Sequence, residues 1–179
     1  MGIMAVAPPP ERCPVSTKPP GEWGGNMDFR QLVAGATLYL PVFNPGALFY
    51  TGDGHGVQGD GEVDGTAIEI SLTPTLQFHL HKGAGRAMRW PRAEDAENYY
   101  VMGMDPDLDV ALQEAVHESV RFLEREAQLT TAQAYALASL QADFRIGEAV
   151  NAVKMVYGVI PKKLLNRSAL IVAALAETP

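Results

Sequence analysis

The sequence has a single cysteine, Cys13. No internal disulfide can form, and a reducing compartment, the cytoplasm, is the expected location. Basic residues are few: 14 Lys and Arg stand against 21 Asp and Glu. That acidic balance argues against nucleic acid or an anionic membrane as a partner. Apolar runs are short, none reaching the length that spans a bilayer, and no charged segment at the N-terminus leads into a long apolar one. No serine occupies a Gly-x-Ser-x-Gly elbow, and Cys13 lies far from the polar motifs described below. A nucleophilic enzyme is therefore unsupported. A P-loop is excluded because no Gly-Lys-Ser/Thr is present. Aromatic residues are sparse near the polar turns, which weakens a sugar-binding β domain. Nothing repeats internally, and 179 residues fit one domain or two small ones.

What is present is a dense polar stretch from Gly52 to Glu62. Gly52, Gly54, Gly56, Gly59 and Gly61 are interleaved with Asp53, His55, Gln58, Asp60 and Glu62. Glycine lets backbone approach a ligand closely, and short carboxylates with an imidazole are the usual ligands of a divalent metal. The ordinary reading is a solvated turn between strands. The glycine spacing is wrong for a dinucleotide fingerprint, and no amphipathic helices flank the stretch as an EF-hand requires. A second polar turn, Gly24-Gly25-Asn26-Met27-Asp28, repeats the two-residue spacing of potential ligands.

Around these turns the pattern is mostly strand-like. Six prolines between Pro8 and Pro20 make the opening extended or irregular, with Met1–Ala7 as a short strand. Strands are expected at Thr37–Val42 and Ala47–Tyr50, so that the two polar turns bracket a strand pair and approach each other. Thr66–Thr73 and Thr75–Lys82 alternate as half-buried strands. The second puts His79 and His81 on one face, either as two solvent-facing side chains or as a metal pair. Asn98–Gly103 is a further strand. From Asp105 the period becomes helical, with Asp105 as cap and Leu108, Leu112, Ala115, Ser119 and Leu123 on one face. Thr130 with Gln133 forms a capping box for a second helix to about Leu140. Strands follow around Phe144 and Ile146 and from Val153 to Val159, then an apolar helical tail over residues 168–176. Strands followed by helices without regular alternation give an α+β class. The expected division is a β-rich, sandwich- or barrel-like part at 1–103 and an α+β part at 104–179, or one continuous domain.

In order along the chain, Gly24-Gly25-Asn26-Met27-Asp28, Leu40-Pro41-Val42, Pro45-Gly46-Ala47-Leu48-Phe49, Gly52-Asp53-Gly54-His55 and Gln58-Gly59-Asp60-Gly61-Glu62 resemble the acetamidase/formamidase family. Leu129-Thr130-Thr131-Ala132-Gln133-Ala134-Tyr135, Ser139 and Asp143-Phe144-Arg145-Ile146 extend the resemblance, which runs from about Gly2 to Leu165. It implies hydrolysis of short aliphatic amides to the carboxylic acid and ammonia, with a divalent metal, zinc or alternatively calcium. The resemblance corresponds to the C-terminal half of the usual chain, whose preceding β-rich half supplies part of the active site. The expected partners are therefore a small amide and either further copies of the chain or a separate N-terminal half. The rival expectation is a non-catalytic half that binds metal or a partner chain.

Amide hydrolysis needs an activated water, a polarised carbonyl and a proton for the leaving nitrogen. Asp53, His55, Asn26 and Asp28 are the expected metal ligands. Glu62 is the expected proton shuttle, because a carboxylate beside a metal can take a proton from water and return it to nitrogen. Gln58 is expected to hold the amide or orient Glu62. Asp60 is a reserve base, or else a turn residue bonded to its own backbone.

Overall fold

The computed structural model describes residues 1–165. The first strands are β1 (Ile3–Ala5), β2 (Gly24–Asn26), β3 (Thr37–Tyr39), β4 (Tyr50–Gly52), β5 (His55–Val57) and β6 (Ile68–Glu69). After them come β7 (Arg92–Glu94), β8 (Asn98–Asp105), α1 (Leu108–Glu126), α2 (Thr131–Gln141), β9 (Asp143–Glu148) and β10 (Lys154–Pro161). The class is α+β. Among the described residues all pairings between these strands are antiparallel, in three open sheets ordered β2-β1-β4, β3-β7-β8-β10-β9 and β5-β6.

The large sheet separates two cores by simple alternation along its central strands. Tyr100, Met102 and Met104 of β8 face the same way as Met155, Tyr157 and Val159 of β10 and pack with Met27, Phe29 and Trp90. The register places Met102 opposite Tyr157 and Met104 opposite Met155. On the other face, Val101 and Ile160 meet Phe122 and Leu123 of α1 and Leu137 and Ala138 of α2. Burying a side chain of this size stabilises by roughly 1.5–3 kcal/mol.

Helix α1 lies unusually close to the sheet. A Cβ on Gly103 would stand 2.2 Å from the Ala115 nitrogen and 2.5 Å from the Ala111 carbonyl oxygen. The buried stripe of α1 is accordingly small where it crosses this glycine: Ala111, Ala115 and Ser119. Leu108 and Leu112, expected on that stripe, are instead 37% and 39% exposed, because the contact surface is centred on the small residues. The cap is Asp107 rather than Asp105: its carboxylate accepts from the amides of Asp109 and Val110 at 2.8 and 3.2 Å, while Asp105 ends β8. Helix α2 has the expected capping box between Thr130 and Gln133.

Other expectations change. Ala47 and Leu48 are not strand: both have positive φ, 58° and 53°, and continue the turn begun at Pro45-Gly46. The strand starts at Tyr50. Of the alternating run from 66 to 73 only Ile68–Glu69 is strand, with Ile70 donating its amide to the Gly54 carbonyl at 2.8 Å, and 75–82 is not strand at all. An extended segment becomes a strand only when a neighbour takes its backbone bonds, and Phe78 and Leu80 are 68% and 74% exposed. The tail at 168–176 lies outside the described residues. Among those described, no helix is long and apolar enough to cross a membrane.

Candidate functional site

Three turns converge at one end of the small sheets. Strand β1 sits between β2 and β4, with Ile3 opposite both Asn26 and Gly52. The expected strand pair is therefore not what joins the polar turns; the N-terminal strand is. Just before it, Gly2 donates its amide to the Asp53 carbonyl at 2.7 Å and accepts from the Met27 and Asp28 amides at 3.1 Å. There is no room for a side chain. A Cβ on Gly2 would lie 2.5 Å from Asp28 Oδ1, 2.7 Å from Asp53 Oδ2 and 2.8 Å from His55 Cε1.

Each acidic side chain is aimed by neighbours in the core or by a backbone tie. Asp28 is held between Met27 and Phe29, both buried, and Phe29 packs edge-on against Tyr100 and Tyr157. Glu62 follows Gly61, which bonds the backbone of Gly147 and Ala149 at 3.0 Å and so docks on the end of β9. That tie brings Glu148 into the cluster. Pairing of β5 with β6 sets Glu69 opposite His55. Asp28, Asp53 and Glu62 all adopt left-handed backbone, with φ of 44°, 60° and 41°. Such conformations cost energy in non-glycine residues, and their concentration here marks a site the rest of the fold holds in place.

The side chains are placed so that they could hold a cation. His55 Nε2 stands 3.2 Å from Asp53 Oδ1, 3.4 Å from Glu69 Oε2, and 3.9 Å from both Asp28 Oδ1 and Glu62 Oε1. Asp28, Asp53 and His55 offer ligand atoms within 4.8 Å of one another, as do Asp28, Glu62 and Glu148. Asn26 Nδ2 donates to Asp28 Oδ2 at 2.6 Å, and Asn151 Nδ2 does so at 3.3 Å. Glu148 accepts from the Val150 and Asn151 amides through Oε1. Asp28 Oδ1 and Glu148 Oε2, both buried, have no hydrogen-bond partner. Buried carboxylate oxygens normally find one; here a proton shared between Asp28 and Glu148, or a cation between them, would supply it. One imidazole among carboxylates suits a divalent ion.

The electrostatics agree. Burial, then the charges of Glu62, Glu148 and Asp53, push the Asp28 carboxyl up to about 7. Burial, with Glu148 next, also raises Glu62, although His55 opposes the shift. For His55, burial disfavours the charge, but the Gln58 hydrogen bond and the carboxylates of Asp53, Glu69 and Asp28 outweigh it and raise its pKa.

Asn26, Asp28, Asp53, His55 and Glu62 line one cleft of about 320 Å³. Gln58 reaches His55 and the Asp28 backbone rather than Glu62. Asp60 points elsewhere: both its oxygens accept from the Tyr157 hydroxyl at 3.0 Å, and Arg30 lies 3.8 Å away. His79 and His81 are exposed and outside the cluster. Sequence reasoning missed Gly2, Glu69, Glu148 and Asn151. The alternation around Ile68 gave Glu69 a polar face and was the one available signal; Glu148 and Asn151 join through long-range contacts that leave none.

The family model described as "Acetamidase/Formamidase family" matches residues 11–167. An acetamidase of Mycolicibacterium smegmatis is 46% identical over 68 residues, 37% of this chain and 17% of that protein. A formamidase of Methylophilus methylotrophus is 43% identical over 47 residues, 26% of this chain and 12% of that protein. Among solved structures, an acetamidase from Bacillus halodurans superposes with a TM-score of 0.86 at 30% identity, over 93% of this chain and 55% of the other. One from Yersinia enterocolitica gives 0.78 at 31%, over 92% and 48%. This chain thus spans about half the length of the solved relatives and a smaller share of the curated ones.

Proposed function

The chain belongs to the acetamidase/formamidase family, and we propose that it serves hydrolysis of short aliphatic amides such as formamide and acetamide. The observation that carries this reading is the convergence of His55 with Asp28, Asp53 and Glu62 around two buried, unpartnered carboxylate oxygens. In this reading Asp53, His55 and Asp28 hold a divalent ion, zinc with calcium as the alternative, and Asn26 steadies Asp28. When bound, such an ion lowers the pKa of water and polarises a carbonyl. Glu62 takes the proton of the attacking water and returns it to the leaving nitrogen. Burial raises its pKa above the usual carboxylate value, which makes Glu62 the stronger base for that exchange. Asp60, bonded to Tyr157, belongs to the support of the cleft rather than to the chemistry.

The alternative, a metal- or partner-binding half without turnover, is favoured by one observation: the solved relatives are about twice as long. The exposed apolar side chains Val57, Ile68, Ile70, Phe78 and Leu80 suit cover by further polypeptide, the unmatched part of that longer architecture. We place the working protein in the cytoplasm, consistent with unpaired Cys13. The test is metal content by mass spectrometry together with ammonia release from formamide and acetamide. Metal with ammonia release supports amide hydrolysis. Metal without release supports the alternative, and a chain that takes up neither zinc nor calcium overturns the metal reading and leaves only the partner-binding half.

A further inference from the structure

We infer that Gln58 is a positioning residue that fixes the tautomer of His55, so that Nε2 presents its lone pair to the carboxylate cleft. The inference rests on the metal-site reading of that cleft, and its logic is a chain of forced hydrogen-bond roles. A backbone carbonyl can only accept. The Gln58 side-chain atom 2.6 Å from the Asp28 carbonyl oxygen is therefore its amino group, which donates. The other end of the same amide must then be the carbonyl oxygen, and it lies 2.9 Å from His55 Nδ1. A carbonyl oxygen cannot donate, so Nδ1 carries the hydrogen. In neutral imidazole that leaves Nε2 as the acceptor, and Nε2 is the atom facing Asp53, Glu69, Asp28 and Glu62.

The arrangement has a second consequence. Gln58 anchors on the backbone of Asp28, which is itself in the cluster. One side chain thus sets both the ring orientation of His55 and its spacing from the Asp28 turn. The nitrogen of a ligating histidine that does not face the metal is commonly held by such a partner, and loss of that partner typically weakens metal binding about 10–100-fold.

The test uses Gln58→Met, which keeps length and removes both polar ends, and Gln58→Glu, which keeps an acceptor for Nδ1–H. Ring nitrogens are read by two-bond proton–nitrogen NMR on metal-free, histidine-labelled protein at alkaline pH, where the ring is neutral, with His55→Gln identifying its signals. Zinc affinity is measured by competition with a chelator, and circular dichroism confirms folding. The expected result is an Nδ1–H tautomer in the unaltered protein and in Gln58→Glu. Gln58→Met should shift toward Nε2–H and bind zinc about 10–100-fold more weakly. An Nε2–H tautomer in the unaltered protein overturns the inference. So does Gln58→Met that keeps Nδ1–H, whatever its zinc affinity. Failure of the unaltered protein to bind zinc or calcium would count against the metal reading alone, because the tautomer is measured without metal.

Discussion

Asp28, in the turn after β2, and Glu148, at the end of β9, bring a carboxylate oxygen each within 4.8 Å, both side chains being buried and each keeping one oxygen without a hydrogen bond. Two like charges in that position oppose folding unless a proton or a cation lies between them. The site is therefore one where the demands of binding and of stability conflict.

Asp28→Asn should separate the two demands. It removes one charge while keeping shape, so the metal-free protein should melt about 2–4 °C higher for each kcal/mol of repulsion relieved. Zinc or calcium affinity should fall at the same time. Thermal melts with and without metal check both signs; a lower melting temperature without metal would show that the carboxylates do not repel.

His55→Ala and Glu62→Gln should fail differently. His55 supplies the one imidazole of the cluster, so its loss should remove metal and activity together. Glu62→Gln keeps hydrogen bonding but cannot take a proton, so metal should stay while turnover falls about 10²–10⁴-fold. Metal content and ammonia release, measured on a preparation with turnover, distinguish the two. Full activity in Glu62→Gln would move the proton shuttle to another residue.

Gly103→Ala should loosen α1 from the sheet. The new methyl would meet helix backbone at 2.2 Å, which no side-chain rotation relieves. Overpacking of this kind costs about 1–3 kcal/mol, occasionally more. Gly59→Ala, where nothing lies within 4 Å of the added carbon, is the control. Equal denaturant midpoints for the two variants would contradict the close approach.

Acid stability should depend on Glu94. Burial works against its charge, but hydrogen bonds from Lys162 and Tyr39 outweigh it and hold the carboxyl below its usual 4.5. A lowered folded-state pKa gives stability that is present above pH 4.5 and is lost as pH falls through the folded value. Glu94→Gln should thus flatten the acid limb of the stability curve below pH 4.5, measured by urea unfolding at stepped pH. An unchanged limb would rule out this clamp.

Local patterns determined much of this protein. Thr130 and Gln133 wrote their capping box into four residues, β8 was legible as the apolar run from 98 to 103, and β10 was legible because Met155, Tyr157 and Val159 alternate. The chemistry of the Gly52–Glu62 stretch was legible for the same reason: glycines and ligand types stand side by side in the chain. Local pattern failed at Leu76, Phe78 and Leu80, whose alternation looks like a strand but has no neighbour to bond. It also could not assign Asp60, which lies within the polar stretch yet turns to Tyr157. What only the tertiary structure decided is which carboxylates meet. Insertion of β1 between β2 and β4 brings Asp28 beside His55, and docking of Gly61 on the end of β9 brings Glu148 to Glu62. Those are backbone pairings between distant segments, and the hydrogen bonds that make them carry no side-chain signature along the chain.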